Sequence, residues 1–103
     1  MNNIKILVAE PNKKMYEKII KNTIDEIYGL VFYPYKEIEI QKDVFVIYSK
    51  EATQLRDKMF KENRKINNIN IFGTFVVVAR KNNKLISLTD YQVQEIKNLF
   101  LEK

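Results

Sequence analysis

A chain of 103 residues has the length of one domain, and 46% apolar with 30% charged residues describes a folded globule, not a disordered segment. It contains no Cys and no His, which excludes disulfides, thiol nucleophiles, zinc sites built from those ligands and any imidazole acid or base, the Ser-His-Asp arrangement included. The formal charge of +5 raises the case for an anionic partner, but only three of the 18 basic residues are Arg, which makes most bidentate phosphate contacts.

Two Gly and two Pro are all that interrupt the chain, so long regular elements and short connections are expected. Residues 4–9, IKILVA, predict a buried strand that turns at Pro11, whose ring fixes φ and removes a backbone donor. Over 14–28, Met15, Tyr16, Ile19, Ile20, Ile24, Ile27 and Tyr28 lie at the spacing of one helix face, so a single long helix fits. A strand over 15–20 followed by a helix fits as well. Asn22 and Thr23 are N-cap residues, Thr23 and Glu26 have capping-box spacing, Asp25 and Glu26 suit a first turn, and Gly29 suits a C-cap. Spacing alone leaves both open; cap signals in the middle of the longer helix favour the second.

VFYPYKEIEI (31–40) predicts a strand in which Ile38 and Ile40 alternate with Glu37 and Glu39, with Pro34 marking an edge or a bulge. A turn at 41–43 leads to VFVIYS (44–49), its hairpin partner. Residues 50–65 lack a β-branched run, and Ala52, Leu55, Met59 and Phe60 make a narrow apolar stripe, which predicts a short helix near 51–62. INIFGTFVVVAR (69–80) carries the strongest strand signal, with Gly73 as a bulge or a close backbone approach. A turn at 81–84 and a returning strand over 85–88 follow. Thr89 and Gln92 then cap a last helix that turns Val93, Ile96, Leu99 and Phe100 to the core. The expected fold is a single α+β domain over 1–103: a mostly antiparallel sheet of five or six strands with two or three packed helices.

No apolar run has the length of a membrane span, and the run Ile4–Ala9 is too short for a secretory core. A soluble, cytoplasmic protein without a membrane partner is the expectation.

Catalytic groupings are sparse. Glu37 and Glu39 share a strand face, but their alternation with isoleucines makes it a solvent face. Glu10, at a strand end, is the better-placed acid; one carboxylate without a base, a metal cluster or an oriented nucleophile is not a mechanism. Gly29 and Gly73 are too few and too far apart to cradle a phosphate. No catalytic, cofactor or metal site is expected, and the chain is not expected to be an enzyme.

Surfaces offer more. Arg56, Lys58, Lys61, Arg64 and Lys65 form the densest basic run. On a helix, Lys58, Lys61 and Lys65 share a face that would track a phosphate backbone or an acidic protein groove. Glu51, Asp57 and Glu62 dilute that face, and solvation is its more ordinary role. Tyr28, Phe32, Tyr33 and Tyr35 cluster around Gly29 and Pro34, and Tyr33 shares a face with Tyr35. Most aromatics pack a core, but protein interfaces also enrich exposed Tyr at their centres. The partner-binding candidates are therefore Tyr33, Tyr35, Arg56, Lys58, Lys61, Arg64 and Lys65.

Five segments occur in a telling order: KILVAEP (5–11), NTIDEI (22–27), Asn63-Arg64, GTFVVV (73–78) and SLTD (87–90). This order resembles a family of small uncharacterised proteins carried by phages, plasmids and other mobile elements, largely of Firmicutes. The departure is 50–62, where family members tend to be glycine-rich and extended. The resemblance implies a non-enzymatic accessory protein that binds a host protein or ribonucleoprotein complex, in concrete form an inhibitor of a CRISPR or restriction system. The alternatives are a nucleic-acid-binding regulator, carried by the net charge and the 56–65 cluster, and a sponge whose Tyr and Lys side chains wrap a signalling nucleotide.

Overall fold

The computed structural model describes residues 3–31, 33–50 and 61–100. Aliphatic IKILVA lies within β1 (Asn3–Ala9), and the chain turns at 11–13 into β2 (Tyr16–Lys21). Helix α1 (Ile24–Tyr28) follows, capped by the Thr23 hydroxyl, which accepts from the Glu26 N–H at 3.4 Å. The strand-plus-helix reading of 15–28 is the observed one. Next come β3 (Tyr35–Gln41) and β4 (Val44–Ser49), then β5 (Glu62–Ile66), β6 (Ile69–Phe72), β7 (Phe75–Lys81) and β8 (Lys84–Ile86). The chain closes with α2 (Asp90–Leu99), where both halves of the Thr89–Gln92 capping box are present.

The main sheet has six strands in the order β2-β1-β7-β4-β3, with β8 also paired to β7; β5 and β6 form a separate hairpin, and every pairing is antiparallel. The most β-branched stretch of the sequence, in β7, lies at the centre and is buried from Phe75 to Ala79. One edge of β7 is shared: β1 pairs with its first half (Leu7↔Val77) and β8 with its second (Ala79↔Ile86). The exit of β8 is tied back to β1, since the Lys5 N–H donates to Ser87 Oγ at 2.9 Å and the Leu88 N–H donates to the Lys5 carbonyl at 3.0 Å. Lys5 Nζ adds ion pairs to Asp90 and Glu17 at 2.7 and 3.3 Å. The SLTD segment is thus a structural fastener.

Strand alternation sends side chains to two faces. Leu7, Val46, Val77 and Ala79 pack on one, under Val93 and Ile96 of α2 and under Ile66 and Ile71 of the β5–β6 hairpin. Ile6, Val8, Ile47, Val76 and Val78 pack on the other, under Ile27 of α1 and Val31. Each fully buried aliphatic side chain contributes about 1.5–3 kcal/mol.

Two hairpins turn on asparagine pairs. Asn67 and Asn68 have φ of 47° and 67°, Asn82 and Asn83 of 53° and 63°. Positive φ at both central residues is the two-residue turn whose twist matches the flanking strands, and Asn tolerates that region better than other side chains.

Several expectations are corrected. Residues 69–80 are not one strand. Gly73, at φ 82°, turns the chain from β6 in one sheet into β7 in the other. The strand expected from 31 begins only at Tyr35, after a cis Tyr33–Pro34 peptide. Phe100 packs on the core, but Leu99 is half exposed, because Val93, Ile96 and Phe100 already occupy the inner stripe of α2. The architecture is α+β and mostly antiparallel; of the two helices among the described residues only α2 exceeds five residues. The helix expected over 51–62 lies outside the described residues up to 60, and Glu62 already begins β5.

The two glycines differ. Gly29 sits at φ −70°, and a Cβ there would meet its nearest atoms at 3.6 Å, an ordinary contact. Gly29→Ala is expected to leave stability unchanged or raise it by up to about 1 kcal/mol. Gly73→Ala is expected to lower it by about 1–2 kcal/mol, because a side chain in the left-handed region meets its own backbone. Urea unfolding of both variants measures the contrast.

Candidate functional site

Antiparallel pairing brings three chain segments to one end of the main sheet: Glu10 after β1, Ser49 at the end of β4, and Thr74 before β7. Leu30 and Val31 lie beside them from the α1 side, and Lys61 and Phe72 from the β5–β6 side. Together these residues line an open cleft of 510 Å³.

The Glu10 carboxylate accepts a 2.5 Å hydrogen bond from the Tyr16 hydroxyl and pairs with Lys13 Nζ at 3.3 Å. The Tyr16 bond first, and Lys13 second, hold it below the ordinary glutamate range, while the same bond raises the Tyr16 hydroxyl. An acid held ionised is a poor proton donor at neutral pH; it serves better to orient a neighbour or meet a cation. Because the folded value is depressed, this pairing stabilises the fold above the unfolded glutamate pKa, and the gain is lost as pH falls through the folded value. In Tyr16→Phe the Glu10 titration followed by carboxyl NMR is expected to move up toward the ordinary glutamate range.

Behind the cleft the Asn63-Arg64 dipeptide fastens β5 to the sheet end. Asn63 Nδ2 donates to the carbonyls of Ala9 and Gly73 at 2.9 and 2.7 Å, and Asn63 Oδ1 accepts from Arg64 Nη1 at 2.6 Å. Arg64 also donates to the carbonyls of Lys13 and Glu10, at 2.6 and 3.4 Å. The sequence shows both residues but gives no local sign that they bridge to carbonyls 54 positions away.

Next to the cleft, three tyrosines meet where α1 leads into β3: Tyr28 ends α1, Tyr33 lies in the loop between them and Tyr35 begins β3. The rings of Tyr28 and Tyr35 stack 4.0 Å apart and 7° from parallel, and the Tyr35 hydroxyl donates to the Tyr28 carbonyl at 3.1 Å. Tyr33 meets Tyr35 edge-on at 5.4 Å and is 72% exposed. The Lys50 N–H donates to the Pro34 carbonyl at 2.8 Å, which ties this loop to the end of β4, beside Ser49.

The sequence-derived candidates are therefore spread. Tyr33 and Tyr35 are in contact. Lys61 lines the cleft and is exposed, and Lys65 is exposed on β5. Arg64 is half-buried, with its guanidinium directed at backbone carbonyls. Arg56 and Lys58 lie outside the described residues. Because Lys65 belongs to a strand, the expected helix face of Lys58, Lys61 and Lys65 does not extend to it. The sequence gives little sign of either Ser49 or Thr74: Ser49 ends an expected strand, and Thr74 falls inside the continuous strand expected over 69–80.

Glu37 and Glu39 do not form a working pair. Glu37 is bound by both Arg80 Nη atoms at 2.6 and 3.0 Å, which holds its carboxyl below the ordinary range, and Glu39 accepts from the Asp43 N–H at 3.2 Å. The Arg80 guanidinium lies 4.2 Å from the centre of the Phe45 ring. A larger groove of 920 Å³ opens at the other end of the sheet, between Asn3 and β8. Two of its polar groups are already engaged, Arg80 as above and Asn22 with the Leu85 carbonyl. Among the described residues no three acidic side chains gather closely enough to hold a metal ion, and no helix is long and apolar enough to cross a membrane.

No curated protein and no solved structure matches the chain. The family model described as Domain of unknown function (DUF3846) matches residues 4–101. A match over nearly the whole length means that this chain belongs to the DUF3846 family.

Proposed function

We propose that this protein is a non-enzymatic accessory protein of phages and other mobile elements that works in the host cytoplasm. It binds a host protein or protein–nucleic-acid complex, in concrete form as an inhibitor of a CRISPR or restriction system. The observation that supports binding is the Tyr33 side chain: 72% exposed, yet seated against Tyr35, which is itself stacked on Tyr28 and hydrogen-bonded to its backbone. An exposed ring held in place loses little freedom on docking, and such aromatics concentrate binding energy at interface centres. The adjoining cleft, with the Glu10 carboxylate and the Lys61 ammonium, offers polar contacts of both signs around that anchor. The setting itself rests on the resemblance of the KILVAEP, NTIDEI, GTFVVV and SLTD segments.

Capture from host lysate with the tagged protein tests this. The wild type is expected to recover a protein or ribonucleoprotein partner, and Tyr33→Ala, with an unchanged circular dichroism spectrum, to lose it. Recovery of nothing, or equal recovery by the variant, contradicts the reading. Binding to bare DNA or RNA that weakens steeply with salt would favour a nucleic-acid regulator instead.

A further inference from the structure

Strand β2 ends the main sheet, and among the described residues its outer edge has no partner. It is six residues long and pairs with β1 without a register break. Proteins blunt such edges with bulges, prolines, lysines or inward-pointing charges; β2 contains neither Pro nor a bulge, and its Lys18 lies on the face of Ile6 and Ile20. On the face it shares with Lys5 of β1 stand Glu17, Ile19 and Lys21, and Ile19 is 59% exposed. An isoleucine left open on an edge strand, with an acid two residues before it and a base two residues after it, is self-complementary.

We propose that two copies of this chain pair antiparallel through β2, about a two-fold axis at Ile19. Residues opposite each other across such a pair keep the same face of the sheet. Ile19 then meets Ile19 of the second copy, and each Glu17 stands opposite a Lys21. The Glu17 carboxylate, already 3.3 Å from Lys5 Nζ, becomes the shared acid between two lysines. On the other face Lys18 stands opposite Ile20, where its aliphatic stem covers apolar surface and its ammonium reaches water. Lysines on an edge ordinarily oppose pairing; here the one nearest the axis on the Ile19 face is matched by an acid. Facing apolar and opposite-charge pairs of this kind stabilise a strand pair.

Light scattering over a concentration series, with two sets of variants, tests this. The wild type is expected to double its mass as concentration rises. Ile19→Lys, Glu17→Lys and Lys21→Glu are each expected to stay monomeric, since each places like charges across the axis or removes the central contact. Glu17→Lys combined with Lys21→Glu restores the opposite-charge pairs and is expected to restore the dimer. Because the chain has no Cys, Ile19→Cys supplies a second readout. Directly opposed residues lie within disulfide reach, so mild oxidation of dilute protein is expected to link Ile19→Cys into dimers and to leave Lys18→Cys unlinked. A wild type that is monomeric throughout, or a dimer indifferent to Ile19→Lys, overturns the proposal. So does a charge swap that fails to restore pairing while Lys18→Cys links as readily as Ile19→Cys.

Discussion

Asn63→Ala is expected to lower the folding stability by about 3 kcal/mol, a large effect for a single polar side chain. One amide holds two carbonyls, those of Ala9 and Gly73, and its own oxygen accepts from Arg64. Leaving a buried polar group without its partner costs about 1–3 kcal/mol, and alanine here removes a donor from two carbonyls at once. These carbonyls belong to the two segments that flank the cleft, so the loss loosens the β5–β6 hairpin from the sheet end. Asn63→Asp keeps the shape but has no hydrogen to donate; it is expected to cost about as much as alanine, which separates donation from packing. Chemical unfolding of the two variants against the wild type measures this, and an Asp variant as stable as Asn would refute the clamp.

Phe75→Ala is expected to cost more, about 3–5 kcal/mol. Phe75 is the largest of the fully buried side chains, lies on the central strand, and has the Phe100 ring 6.1 Å from its own. Removing it leaves a cavity between the sheet and α2 that neighbouring β-branched residues are too stiff to fill. Against a total of about 5–15 kcal/mol for a domain of ordinary stability, that loss is a large share, readable as a lowered urea midpoint. The two substitutions are close enough in space to couple, since Asn63 holds Gly73 and Phe75 follows two residues later. Their combined cost is expected to fall short of the sum.

Much of the fold is written in local chemistry. Runs such as IKILVA and FVVVA announce strands because β-branched side chains fit a pleated surface. Thr89 and Gln92 announce a helix start because the cap is made within one turn. The 81–84 turn is legible for the same reason, as Asn82 and Asn83 adopt positive φ with little strain. What the sequence hides is non-local. Gly73 is compatible with a bulge or with a break, and only the separate pairing of β6 with β5 decides for a break. Pro34 marks an irregularity without saying that β3 starts after it. The candidate site follows the same division. Tyr33 and Tyr35 were legible as neighbours by their spacing, whereas the cleft draws residues from segments separated by most of the chain. Arg64 reads as a surface cation from its basic neighbours, but its guanidinium is directed inward by carbonyls that no local pattern reveals.

In the proposed function the Tyr33 loop and the adjoining cleft form the docking surface. Amide hydrogen exchange on the protein, free and bound to the partner it captures, tests it most directly. Slower exchange in the complex at 29–31, Tyr33, Tyr35, 49–50 and 73–74 is the predicted footprint. Protection confined to α2 or β8, with the Tyr33 loop exchanging at its free rate, would contradict it.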